Sequence, residues 1–393
     1  MDSNECHRLL QVSSRGGELR LSESNSLKRK RLRDFGITLG ILPTGRNNAI
    51  SDIQGIQVGQ ISIIEGSDIR TGATAILPHT GNLYEQRVPA AIAVANGYGK
   101  LMGFTQVVEL GEIETPIVLT NTLSVPQAAD AILDWTLSQP RANKIRSINP
   151  IVGETNDGRL NAIEKRVLTS KQILEAIISA SSDPPAEGNV GAGTGTVAFG
   201  WKGGIGTSSR VLPQALGGYC VGVLVQSNFG GVLQILGVPI GQLLKQHYLH
   251  AEPKGFADTT ADGSIMIVIA TNAPLSDRNL TRLARRSFAG LARTGSSFVN
   301  GSGDYAIAFS TAESVRRTPE RRKSVSTLSE LPNESASPLF QAAIEATEEA
   351  IYNSLFMAET MTGRDTTTIE ALPLDRVLAI LDSRGVIRTP AEG

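Results

Sequence analysis

Ala261-Asp262-Gly263-Ser264-Ile265-Met266-Ile267-Val268-Ile269-Ala270-Thr271 is a long apolar run that opens on a serine and follows the one residue without a Cβ. It reads as a strand that ends at Asn272-Ala273-Pro274. The Gly263-Ser264 pair has two readings. A glycine and a serine ahead of a strand are ordinarily a turn. Alternatively, the Ser264 hydroxyl attacks the carbonyl on its own N-terminal side, the chain splits there, and the freed α-amine serves as base in later turnovers. On local grounds alone the turn is favoured.

Downstream the order is strand, helix, strand. Ser276 or Asp277 caps a helix in which Leu280, Leu283, Ala284, Phe288 and Leu291 recur at helical spacing, and Gly295 stops it. A loop from Ser296 to Asp304 leads into the alternating strand Tyr305-Ala306-Ile307-Ala308-Phe309-Ser310. Residues 313–336, with Arg316-Arg317-Thr318-Pro319-Glu320-Arg321-Arg322-Lys323, read as a polar surface insertion. A last helix, about Pro338 to Glu359, places Phe340, Ala343, Ile344, Ile351 and Leu355 on one stripe. Upstream, Ile53–Ile64, Thr74–Leu77, Ala90–Ala95 and Thr115–Leu119 read as strands, and a helix follows with Val125, Ala129, Ile132 and Leu133 on one face. Residues 1–34 end in Lys28-Arg29-Lys30-Arg31-Leu32-Arg33 and read as a flexible extension with a solvated basic cluster, so the folded body is expected to span 35–393.

The 393 residues carry 37 basic and 38 acidic side chains, a formal net charge of -1 that offers no field to attract nucleic acid or an anionic membrane. A small substrate is the expected partner. Cys6 and Cys220 cannot make a disulfide framework, no apolar run has the length of a membrane span, and the first residues lack the order of a signal peptide. The expectation is a cytoplasmic protein. Forty glycines with many Val, Ile and Ala suggest strands and tight turns mixed with alanine-rich helices, an α/β or α+β body.

Candidate chemistry is sparse. Four histidines, His7, His79, His247 and His250, come with no Gly-x-Ser-x-Gly turn, which leaves a serine-histidine triad without support. His247 and His250 fall on one face of a candidate helix, but no acidic ligand stands at zinc-like spacing, so no metal is expected. Gly188 to Thr196 superficially resembles a dinucleotide loop yet lacks the G-x-G-x-x-G spacing and a P-loop lysine; nucleotide binding there is the alternative reading. In Asn300-Gly301-Ser302-Gly303-Asp304, the serine and the carboxylate stand two residues apart at a strand entry. They would share one side of the strand, so that Asp304 could hold the Ser302 hydroxyl as a relay, although a turn opening the strand accounts for the residues as well.

Taken together, the chain resembles the aminopeptidase family that contains the L-aminopeptidase D-Ala-esterase/amidase and the β-peptidyl aminopeptidases. The resemblance runs from about Leu39 to Pro373. It is carried by Leu42-Pro43-Thr44-Gly45, Asn96-Gly97-Tyr98-Gly99-Lys100, Val152-Gly153-Glu154-Thr155-Asn156-Asp157-Gly158, Lys202 to Arg210, Val223 to Gly230, Asp262-Gly263-Ser264, Asn300 to Asp304 and Thr362-Gly363-Arg364-Asp365. It implies a four-layer αββα sandwich of α+β class, similar in its layers to N-terminal-nucleophile hydrolases but different in connectivity. It implies a precursor cut between Gly263 and Ser264 into residues 1–263 and 264–393, with no cofactor. Ser264 would be the nucleophile, Ser302 and Asp304 its supporting pair, and Asn228 a donor to the oxyanion. Glu154, with Asp157 as the alternative, would hold the free ammonium of a short peptide, amide or ester. The resemblance also implies a homo-oligomer of processed protomers. One departure is visible. Better-known members carry a tyrosine after Asp-Gly, where this chain has Arg159; if that tyrosine's hydroxyl helps bind the oxyanion, the guanidinium, a candidate substrate-binding group, could donate hydrogen bonds instead, with different reach and charge. That change and the 313–336 insertion keep open a non-catalytic relative that retains the fold.

Overall fold

The strand Ser264–Thr271 lies inside a six-stranded sheet in the order Gly204–Val211, Cys220–Asn228, Ser264–Thr271, Gly303–Ser310, Val88–Gly97, Glu112–Ile113. A computed structural model describes residues 27–250 and 263–387 of the chain. Ser264–Thr271 runs antiparallel to Cys220–Asn228 and parallel to Gly303–Ser310. A parallel pair needs a crossover, and the helix Asp277–Arg293 supplies it. Alternate side chains of the strand enter different cores. Ile265, Ile267 and Ile269 pack with Leu280 and Leu283 of the crossover helix and with Ala343, Ala346 and Ile351 of the helix Ser337–Phe356. Met266, Val268 and Ala270 pack instead with Ile117, Leu119 and Ile151, which belong to a second sheet. A strand that is apolar on both of its period-two faces is thus sandwiched rather than surface-laid.

The second sheet has the order Gln57–Glu65, Ile69–Leu77, Ile117–Asn121, Ile151–Thr155, Leu101–Met102. Its outer face is covered by the helices Val125–Leu137 and Ser170–Ile178, whose Ala128, Ile132, Ile173 and Ile177 meet Ala73, Ala75, Val118 and Val152. Three apolar cores therefore separate four layers in the order helix, sheet, sheet, helix. This is the α+β αββα sandwich that the resemblance implied.

Three expectations need correction or refinement. The body does not begin at Phe35: Leu32 is fully buried in the first core, Arg31 donates to the Asn48 and Thr207 carbonyls at 2.6 and 2.7 Å, and Arg33 pairs with Glu349 at 2.7 Å. The end of the basic cluster is docked because buried acceptors and a buried carboxylate need its charge. The rest of the proposed extension, residues 1–26, lies outside the described residues. His247 and His250 do not share a helix, since Ile240–Leu243 ends before them; their rings stand 4.9 Å apart, and His247 Nδ1 donates to the Tyr248 carbonyl. The helix Ser337–Phe356 is more than an apolar stripe. It buries Glu345 and Glu349 completely against Arg210, with Arg210 Nε 3.0 Å from Glu345 and Nη2 2.6 Å from Glu349. No helix among the described residues is long and apolar enough to cross a membrane.

Candidate active site

Ser264 stands at the end of the central strand, 7 % exposed, on the same side as Met266 and therefore facing the second sheet. Its hydroxyl accepts the Gly303 backbone N–H at 3.1 Å. Gly263 is packed where no side chain fits. A Cβ there would lie 2.5 Å from Phe229 Cα and would collide with the Asn228 carbonyl.

Asn228 is the ladder partner of Ser264, so strand pleating puts both side chains on one face. Its orientation is set by its neighbours. The Val197 N–H donates to Asn228 Oδ1 at 2.9 Å, which leaves Nδ2 as the donating end, and it donates to the Asn156 carbonyl at 3.1 Å. The turn that presents Val197 is anchored by Lys202, whose buried Nζ donates to the Gly193 and Gly203 carbonyls at 2.9 and 2.8 Å. Burial draws the Lys202 ammonium down to about 7.

Ser302 donates to Asp304 Oδ1 at 2.7 Å, so the two residues do share a side as their spacing required. Burial raises the Asp304 carboxyl to about 6 against the opposing effect of the Ser302 hydrogen bond. Its second oxygen, Oδ2, is buried and has no hydrogen-bond partner among the described residues. Asp304 pairs in register with Ile265, not with Ser264. The pair accordingly lies on the helix-facing side of the sheet, and Gly303, the residue between its members, is the one that touches the Ser264 hydroxyl.

Glu154 sits on the strand Ile151–Thr155, 3 % exposed, where it accepts the Lys100 N–H at 2.9 Å and the Thr122 hydroxyl. Gly99 spans the gap between this carboxylate and the Ser264 neighbourhood at φ 151°, a conformation that favours glycine. A Cβ on it would be 3.2 Å from Glu154 Oε1 and 3.6 Å from Gly303 Cα. Asp157 is turned inward instead: it is 2 % exposed, accepts from Asn161 at 2.9 Å, and is raised to about 7 by burial. Arg159 is exposed and makes no hydrogen bond or ion pair with any described residue.

Sequence reasoning missed the Gly303 N–H, the Thr122 and Lys100 groups on Glu154, and the Val197–Lys202 support of Asn228. Backbone donors and long-range partners leave no residue pattern to read. The Gly188 to Thr196 loop loses its nucleotide reading. It holds a buried single turn, Gly191–Gly193, and a Cβ at 191, 193 or 195 would collide with Thr74, Gly204 or Arg70. The next element is the two-residue strand Val197–Ala198 and not a helix whose N-terminus could take a phosphate. No cluster of metal-ligating side chains occurs among the described residues.

The profile of peptidase family S58 matches residues 48–369. The chain belongs to peptidase family S58. It is 40 % identical over 382 residues to the β-peptidyl aminopeptidase BapA of Sphingosinicella microcystinivorans, covering 92 % of this chain and 94 % of that one. Among solved structures, a Burkholderia β-aminopeptidase superimposes with TM-score 0.82 at 37 % identity, covering 92 % of this chain and all of the other. The L-aminopeptidase D-Ala-esterase/amidase of Ochrobactrum anthropi, described as a prototype serine aminopeptidase and a new variant of the Ntn hydrolase fold, gives TM-score 0.81 at 35 % identity over 91 % of this chain and 99 % of that one. This S58 member is a hydrolase of the serine aminopeptidase type, with the N-terminal-nucleophile class of fold.

Proposed function

We propose that the chain cuts itself between Gly263 and Ser264 and that the new N-terminal serine then removes N-terminal residues from short peptides, amides or esters with a free amine. The observation that carries this reading is the ladder of the central sheet: Ser264, its oriented amide partner Asn228 and the Gly303 N–H converge on one sheet end, behind a position where only glycine fits. In the cut, Ser264 Oγ attacks the Gly263 carbonyl carbon, an N-to-O shift turns the peptide bond into an ester, and one water hydrolyses it, leaving a carboxylate on Gly263 and an amine on Ser264. In turnover that amine, with an ordinary pKa near ~8, takes the hydroxyl proton as Oγ attacks the substrate carbonyl, and returns a proton to the leaving group; a water then hydrolyses the aminoacyl ester, releasing the N-terminal residue and restoring the Ser264 hydroxyl. Asn228 Nδ2 donates to the oxyanion, and Ser302 with Asp304 orients and polarises the nucleophile. Glu154 holds the substrate ammonium.

Intact-mass analysis of purified protein tests the proposal. Two fragments, 1–263 and 264–393, are expected, and Ser264→Ala should stay one chain with no hydrolysis of aminoacyl amides. Cleavage that survives this substitution would sink the nucleophile assignment. Processed oligomers of the kind the family resemblance implies would show as a native mass that is a multiple of the protomer.

A further inference from the structure

Three groups along the end of strand Ile151–Thr155 and the segment that follows it stand in the order a short peptide presents its own. Glu154, proposed to bind the ammonium, comes first. Asn156 follows, and its carbonyl is held by the amide proposed to receive the scissile carbonyl oxygen. Arg159 comes three residues later, and the chain between them cannot carry it away: extended backbone would span ~10 Å at most, and a turn shortens that, since the Asp157 carbonyl accepts the N–H groups of Leu160 and Asn161 at 3.1 and 3.0 Å. In a dipeptide the carboxylate lies only three bonds beyond the scissile carbonyl carbon, within reach of an arginine so placed.

The charge of Arg159 has no other use among the described residues. The acids of its own segment are engaged elsewhere, Glu154 with Lys100 and Thr122, and Asp157 with Asn161. Glu164, the next acid along the chain, pairs with Arg364 at 2.9 Å. Although Arg159 is exposed, desolvation draws its guanidinium below the ordinary pKa, and no neighbouring carboxylate opposes that shift. A guanidinium offers a planar fork that matches a carboxylate in two hydrogen bonds.

We propose that Arg159 binds the free C-terminal carboxylate of the substrate, so that this enzyme prefers dipeptides and comparably short free-acid peptides over the matching amides and esters. The inference rests on the aminopeptidase reading. It is tested by kcat/KM for one dipeptide with a free carboxylate and for the same dipeptide as its C-terminal amide. Wild-type enzyme should favour the free acid by about tenfold or more, mainly through KM. Arg159→Gln should collapse that ratio toward one, Arg159→Glu should invert it, and Arg159→Lys should restore part of it. Appearance of the two fragments in each variant checks that it has folded and matured. Equal kcat/KM on acid and amide in the wild type would overturn the inference alone. So would an Arg159→Gln variant that slows both substrates equally with the ratio intact, the outcome expected of an oxyanion donor. An uncut wild-type chain, or a cut one that hydrolyses neither substrate, would bring down the aminopeptidase reading and the inference with it.

Discussion

Asp304 concentrates the site's electrostatic tension in one side chain. One of its oxygens is answered by Ser302, the other by no described residue, and burial lifts its carboxyl from the usual 3.8 to about 6. Because the folded state holds the proton more tightly than the unfolded chain, this group's contribution to stability is full below pH ~4 and is lost as pH rises through the folded value near 6. About two pH units correspond to ~3 kcal/mol at most. In an uncut Ser264→Ala background, Asp304→Asn should therefore raise the urea midpoint at pH 8 and change it little at pH 4. The same gain at both values would show that Asp304 is not the titrating group. Much of this site was legible at the level of residue types. Ser302 and Asp304 fall two apart at a strand entry, and the Ser264 run is long and apolar. What was not legible is that the register sets Asp304 beside Ile265, because a ladder is a relation between segments rather than a property of either.

Among the elements, the helix Ser337–Phe356 shows where periodicity stops informing. Its apolar stripe was readable, but glutamates on a helix are ordinarily solvated, and nothing local marks Glu345 and Glu349 as buried. Their partners lie far off in the chain, Arg210 on the strand Gly204–Val211 and Arg33 near the start of the described residues. The same ion pairs explain the misplaced boundary at Phe35, since a lysine- and arginine-rich stretch looks solvated until the carboxylates that bind it are known. Arg210 also donates to the Ser209 carbonyl and the Ser208 hydroxyl of its own strand, which holds the guanidinium toward the helix, and its ion pairs with Glu345 and Glu349 tie helix to sheet. Arg210→Met should leave two carboxylates buried with a weakened counter-charge, a loss of about 3–5 kcal/mol. A fall of the thermal midpoint by several degrees, with slower appearance of the two fragments, is the expected reading. A midpoint within a degree of wild type would show that the pairs are not what holds this helix down.

For the whole molecule, the layered architecture followed from the family resemblance more than from periodicity, which gives strands but not their neighbours. Val88–Gly97 pairs with Gly303–Ser310 across about half the chain's length, and no local signal reports it. That interleaving decides what a cut at residue 263 does. In the central sheet, Gly204–Val211 and Cys220–Asn228 belong to the first fragment, Ser264–Thr271 and Gly303–Ser310 to the second, and Val88–Gly97 to the first again. The second fragment's strands are thus flanked on both sides by the first fragment's. Its helices Asp277–Arg293 and Ser337–Phe356 also cover that sheet's outer face, with apolar side chains packed on Val221, Val223 and Val225. Hydrolysis of one peptide bond at a strand end breaks none of the ladder hydrogen bonds and uncovers none of the three cores. The cut protein should therefore elute as one species in native size-exclusion chromatography while a denaturing gel shows two chains. On titration with urea, dissociation should coincide with loss of secondary structure in a single transition, since separating the fragments means unzipping two ladders and exposing a core. Fragments that part in native buffer, or before the secondary structure melts, would show that the described packing does not hold the cut chain together.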